Sequence, residues 1–117
     1  MQVLIADDDE DVRFMVSMLL REEGWQVTST CSGRETIELL ATSTFDALIL
    51  DLNMPPGSGL EVLESRRSMG DTTPVILFSG FVTAEARLDA ERLGATVLEK
   101  TDIRQLGEVV AQSLAAR

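Results

Sequence analysis

Three short apolar runs limit what this chain can become: Val3-Leu4-Ile5-Ala6, Ala47-Leu48-Ile49-Leu50 and Pro74-Val75-Ile76-Leu77-Phe78. Each is too short for an ordinary helix, and none alternates apolar with polar residues. They read as strands buried on both faces, the pattern of a parallel sheet covered by helices. Helical spacing fills the gaps. Val12, Met15, Val16, Leu19 and Leu20 mark a first helix, with Gly24 as its C-terminal cap. Trp25 to Thr30 is a less apolar second strand, suited to a sheet edge. Ser32-Gly33-Arg34-Glu35 has capping-box spacing and opens a second helix, with Ile37, Leu40 and Ala41 on one side. The third strand runs from Asp46 to Asp51. Ser58-Gly59-Leu60-Glu61 repeats the capping-box spacing before a third helix, which Gly70 ends. Thr83 caps a fourth helix reaching Leu93, and Gly94 follows it. Ala95 to Leu98 is a fifth strand ending at Glu99-Lys100. Asp102, with Gln105 three residues later, signals a fifth helix whose buried stripe is Ile103, Leu106, Val110 and Leu114.

Strands alternating with helices imply right-handed crossovers, hence an α/β doubly wound sheet of five parallel strands with five helices on its two faces. The 117 residues suffice for one domain and one core, and residues 1–117 contain no linker, repeat or charge block. Aromatics are 4 % of the chain, so Leu, Val, Ile, Met and Ala must build the core; the helical methionines fall at core-like positions. Cys31 and Trp25 read as partly buried packing residues. With 10 basic and 20 acidic residues the net charge is −10, which disfavours nucleic acid and anionic lipid as direct partners. One cysteine excludes an internal disulfide, and the absence of histidine excludes imidazole chemistry. No apolar run reaches membrane-spanning length and no signal peptide is visible, so a cytoplasmic location is expected.

A parallel sheet brings the carboxyl ends of its strands to one edge, where open α/β sheets bind ligands. Here that edge collects Asp7 and Asp8 after the first strand, Asp51 after the third, Ser79 after the fourth and Lys100 after the fifth. Taken singly each has an ordinary role: solvated turn acids, a turn serine, a surface lysine, and in Asn53 a turn former. Their joint placement is what those roles do not explain. Carboxylates about 4 Å apart repel by roughly 4 kcal/mol per pair at an effective dielectric near 20. A divalent cation removes that cost, and oxygen ligands without His or thiolate select Mg²⁺, with Mn²⁺ as a substitute. A cation beside a lysine and a hydroxyl suits an anionic phosphoryl group, with Asp51 as nucleophile forming an acyl phosphate.

These residues resemble the receiver domain of two-component response regulators over essentially the whole chain. The acidic pair after the first strand, Asp51-x-Asn53-Met54-Pro55, the hydroxyl followed by a small residue after the fourth strand, and Lys100 match in order and spacing. The resemblance implies a flavodoxin-like fold with strand order 2-1-3-4-5. It implies that Asp51 takes a phosphoryl group from the phosphohistidine of a histidine kinase or histidine phosphotransfer domain. It also implies that Asp8 and Asp51 bind Mg²⁺ by side chain, Asn53 by its backbone carbonyl and Asp7 through metal-bound water, while Ser79 and Lys100 contact the phosphoryl oxygens. Such domains signal through the face made by the fourth helix, fifth strand and fifth helix, to an output domain, an effector protein or a second copy in a homodimer. They assist their own phosphorylation and are not enzymes in the usual sense.

Two departures stand out. Thr101 follows Lys100 where the family usually has Pro, so a trans bond or a rearranged loop is expected there. Val97 occupies the position of the family's aromatic switch residue, so signalling without an aromatic toggle is expected, carried by Ser79 and movement of the fourth helix. Phe81, two residues after Ser79, puts an apolar ring where a polar group could position attacking water. The alternatives are a pseudo-receiver that binds partners without phosphorylation, and a haloacid dehalogenase-type Mg²⁺ phosphatase. The former usually lacks an acid or the lysine; the latter wants a second acid where Asn53 stands.

Overall fold

The computed structural model describes residues 1–115. The chain alternates β1 (Gln2–Ala6), α1 (Glu10–Glu22), β2 (Gln26–Thr30), α2 (Gly33–Leu40), β3 (Ala47–Leu50), α3 (Gly59–Ser68), β4 (Val75–Ser79), α4 (Ala84–Arg92) and β5 (Thr96–Glu99). A 3₁₀ turn (Lys100–Gln105) then leads into α5 (Leu106–Ala115). The sheet order is β2-β1-β3-β4-β5, with every neighbouring pair parallel.

The twofold period of a strand divides the core in two. Val3, Ile5, Ala47, Ile49, Ile76 and Phe78 face Val16 and Leu20 of α1 and Leu106 and Val110 of α5. Leu4, Ala6, Leu48, Leu50, Val75 and Leu77 face Leu40, Val62, Leu63 and Ala90 of α2, α3 and α4. The strand interiors thus read as unbroken apolar runs because both faces are covered. Each fully buried aliphatic side chain contributes about 1.5–3 kcal/mol of transfer free energy. β2 keeps only Thr30 fully buried, as its edge position requires.

Several local expectations are corrected. Only one stripe of α1 meets the sheet, so Met15, Met18 and Phe14 are exposed, while the fully buried methionine, Met54, comes from a loop. Ile37 and Ala41 point outward from α2, and Thr36 replaces them in the interior. Its hydroxyl donates to the Ser32 carbonyl at 2.7 Å and shares a 2.7 Å hydrogen bond with Thr30 Oγ1, so no polar group is stranded. Cys31 is exposed, its thiol 2.9 Å from Glu35 Oε2; Trp25 does pack against the core. Ser32 and Ser58 each cap their helix as the spacing predicts, but the Glu35 carboxylate turns to Cys31. Asp102 caps nothing: the chain kinks there, at φ −102° and ψ 31°, and α5 starts only at Leu106. The Lys100–Thr101 bond is trans, and among the described residues the one cis bond joins Pro55 to Pro56.

Candidate functional site

Asp7 is held from every side. Its amide donates to the Thr30 carbonyl at 3.1 Å, which ties the end of β1 to β2. Its carbonyl accepts from Arg13 Nη1 at 2.7 Å, and its Oδ1 accepts from the Asp9 amide at 2.9 Å. Asp9 in turn caps α1, accepting from the amides of Asp11 and Val12. The third acid of the run therefore starts the helix, and the first is fixed with its side chain wholly buried. Asp8 between them is exposed.

Asp51 follows β3 directly, its amide donating to the Ala6 carbonyl at 2.9 Å. Its Oδ1 accepts from Ser79 Oγ at 3.0 Å and from the Asn53 amide at 3.3 Å, and its Oδ2 from Lys100 Nζ at 3.2 Å. Lys100 Nζ also lies 2.8 Å from Asp7 Oδ2, so one ammonium bridges two nearly inaccessible carboxylates. One oxygen from each of Asp7, Asp8 and Asp51 can be chosen so that all lie within 4.8 Å of one another. The structure thus brings Asp7, Asp8, Asp51, Ser79 and Lys100 together, with Asn53 exposed on the adjoining loop.

The loop after Asp51 is fixed by close backbone contact. The Gly33 and Arg34 amides at the start of α2 donate to the Met54 and Pro56 carbonyls, each at 3.0 Å. A Cβ on Gly33 would lie 2.7 Å from the Ser58 amide nitrogen, so no larger residue fits without a shift. Met54 anchors the same loop in the core. Gly59 opens α3 against the Asp51 carbonyl itself.

Charge is out of balance in this pocket: three carboxylates face one ammonium. Burial pushes the Asp7 carboxyl above the usual range, although Lys100 and the Asp9 amide act against that. Burial pulls Lys100 down, but the Asp7 and Asp51 carboxylates outweigh it and leave the ammonium raised. Asp7 Oδ2 touches Lys100 yet makes no well-aligned hydrogen bond. A buried carboxylate oxygen with spare lone pairs, beside two more carboxylates and no nitrogen or sulfur donor, fits a hard divalent cation such as Mg²⁺.

Sequence reasoning found the side chains that converge but missed those that hold them. Arg13, six residues beyond Asp7, grips the Asp7 carbonyl, and Thr30 accepts its amide. No spacing rule announces either contact, because each depends on how α1 and β2 lie against β1.

The model for the response regulator receiver domain matches residues 3–111. The regulatory protein AtoC of Escherichia coli is 31% identical over 115 residues, covering 97% of this chain and 25% of the relative. The cell cycle response regulator CtrA of Brucella ovis is 34% identical over 95 residues, covering 81% of this chain and 41% of the relative. The chain therefore spans well under half of these relatives' length. Among solved structures, the receiver domain of the Francisella response regulator 1452 superposes with a TM-score of 0.90 at 27% identity, covering 98% of this chain and 97% of that one. The Thermotoga maritima response regulator TrrA, in complex with Mg²⁺ and BeF, superposes with a TM-score of 0.86 at 26% identity, covering 97% and 98%.

Proposed function

The chain belongs to the response regulator receiver domain family of two-component systems, and on that premise we propose that Asp51 accepts a phosphoryl group from a phosphohistidine. The donor is a histidine kinase or histidine phosphotransfer domain. An Asp51 carboxylate oxygen attacks phosphorus, the nitrogen–phosphorus bond breaks, and an acyl phosphate forms as the imidazole leaves.

The observation that carries this reading is the shared grip on Asp51: Ser79 on one carboxylate oxygen, Lys100 on the other. Both donors sit where they can transfer to phosphoryl oxygens once the carboxylate is phosphorylated. Their preorganisation lowers the cost of charge rearrangement. Asp7, Asp8 and Asp51, with the Asn53 carbonyl, would hold Mg²⁺, and the bound ion supplies neutralisation of phosphoryl charge. Asp7 would reach the ion through water, while its ion pair with Lys100 keeps the ammonium aimed at the pocket. The chain is a signalling domain that assists its own phosphorylation, with residues 1–117 as one receiver unit, and we place it in the cytoplasm.

Output follows from Ser79. When its hydroxyl turns from Asp51 to the phosphoryl group, β4 and the segment leading to α4 are displaced, and the α4–β5–α5 face changes for an output domain, an effector or a second copy. Val97 is half-buried against the α2–α4 side of the core and has no ring to swing. The test is intact mass after exposure to acetyl phosphate. One phosphoryl group should appear with Mg²⁺, and none with EDTA or in Asp51→Asn. Unmodified wild type under all conditions would instead favour a pseudo-receiver.

A further inference from the structure

Acidic side chains outnumber basic ones two to one, 20 against 10, so a guanidinium left without a carboxylate is unexpected here. Arg34, Arg66, Arg87, Arg92 and Lys100 all form ion pairs. Arg13, Arg21, Arg67 and Arg104 form none among the described residues; Arg67 is taken up by three backbone carbonyls, whereas Arg13 and Arg21 both line one groove of about 310 Å³ between α1 and β2. They stand eight residues apart, with Ser17 midway, so all three share one face of α1. Ser29 of β2 lines the opposite side, and Phe14 and Glu10 complete the rim.

The two arginines are fixed by backbone rather than by charge. Arg13 Nη1 donates to the Asp7 carbonyl at 2.7 Å, and Arg21 Nη2 to the Val27 carbonyl at 3.3 Å. Each bond uses one of a guanidinium's five N–H groups, which leaves several donors on each residue. The hydroxyls of Ser17 and Ser29 make no hydrogen bond among the described residues, although Ser17 is 7% exposed. Two anchored cations and two unengaged hydroxyls therefore face one space against a single carboxylate, Glu10, in a molecule that otherwise repels anions.

We propose that this α1–β2 groove is an oxyanion site, taking a phosphate or carboxylate group between Arg13 and Arg21 with Ser17 and Ser29 as neutral donors. Charge-assisted hydrogen bonds of this kind are about twice as strong as neutral ones, and a fork of N–H groups matches a planar or tetrahedral oxyanion. The site lies outside the Asp51 pocket and meets it only through Arg13, whose guanidinium would serve both the occupant and the Asp7 carbonyl. The inference does not depend on phosphorylation of Asp51.

The test is a titration of ¹⁵N-labelled Asp51→Asn protein, without Mg²⁺, so that Asp51 cannot be phosphorylated, read at amides of the α1–β2 groove and not of the acidic pocket. Inorganic phosphate is one arm and an oligoglutamate peptide the other. The amides of Arg21 and Ser29 should shift saturably in at least one arm. Arg21→Gln should weaken that binding about tenfold or more, the loss expected for a charge-assisted bond, with an unchanged urea midpoint. Saturation by phosphate alone identifies a free anion as the ligand; tighter saturation by the peptide identifies a partner's carboxylate. Absence of saturation in both arms, or undiminished binding by Arg21→Gln, overturns the proposal.

Discussion

Replacing Gly59 by alanine sets two effects of opposite sign against each other, and the structure decides between them. Gly59 is the first residue of α3 and has no positive φ. By intrinsic preference alone, alanine there should stabilise the protein, by up to about 1 kcal/mol. A Cβ at Gly59, however, would sit 2.9 Å from the Asp51 carbonyl carbon and 3.2 Å from Leu50 Cβ, with the Asp51 carbonyl oxygen nearer still. Carbon atoms pack at about 3.5–4.0 Å, so α3 and Asp51 must separate by roughly 0.6 Å or more. Neither side yields easily. Asp51 is pinned to Ala6 through its amide at 2.9 Å, and Ser58 caps α3 through the Glu61 amide at 3.2 Å. Overpacking of this kind costs about 1–3 kcal/mol, so Gly59→Ala should be destabilised by roughly 1 kcal/mol net and shift Asp51 as well. Urea unfolding followed by circular dichroism measures it; with a slope of about 1–3 kcal/mol/M the midpoint should fall by roughly 0.3–1 M. Gly80→Ala is the control, since its Cβ would meet nothing within 4 Å. A Gly59→Ala midpoint equal to or above wild type would mean that α3 and Asp51 part without cost.

Arg67 donates to the carbonyls of Leu93, Asp71 and Thr73 at 2.7, 2.9 and 2.9 Å, joining α3 to the α4 terminus and the entry to β4. Arg67→Met should therefore cost about 2–3 kcal/mol in thermal or urea unfolding, and Arg67→Lys should recover only part of it. Burial works against the Asp71 carboxylate, but the Thr73 hydroxyl and amide and the Arg66 guanidinium outweigh it and hold its pKa below the ordinary value. A pKa depressed in the folded state stabilises above the unfolded value of about 3.9 and is lost as pH falls through the folded one. Wild type should thus exceed Asp71→Asn in stability at neutral pH, and the gap should close only in strong acid; a pH-independent gap in urea midpoints would count against this. Phe81 is 77% exposed two residues past Ser79, and Phe81→Glu should shorten the acyl-phosphate lifetime by positioning water, so equal decay rates in the two proteins would dispose of that role.

The architecture was legible because strands buried on both faces leave unbroken apolar runs, and because Ser32, Ser58 and Thr83 sit at true helix starts. The converging side chains were legible for a related reason: parallel strands deliver their carboxyl ends to one edge, so Asp7, Asp51, Ser79 and Lys100 had to be neighbours. What stayed hidden depends on rotation and close approach. Which residues of α1 turn inward is set by the helix's roll on the sheet, and that roll leaves Met15 and Met18 in solvent. Met54 looked like loop and is core, since a short buried apolar residue between turn formers carries no period. Asp102 looked like a cap, but Leu106 and Val110 reach the core only after a 3₁₀ turn has carried the chain past it. Gly33 and Gly59 looked like parts of capping signals; only backbone contacts reveal that they seat the loop carrying Asn53.

On the proposed function, one ammonium occupies the electrostatic place a divalent cation would share, between Asp7 and Asp51. Calorimetric titration of Mg²⁺ into wild type and Lys100→Met tests it directly. With Lys100 Nζ 2.8 and 3.2 Å from the two carboxylates, removing its charge should tighten Mg²⁺ binding about tenfold or more, while Asp8→Asn and Asp51→Asn weaken it. Unchanged or weaker Mg²⁺ binding in Lys100→Met would show that the ammonium and the cation do not compete for these carboxylates.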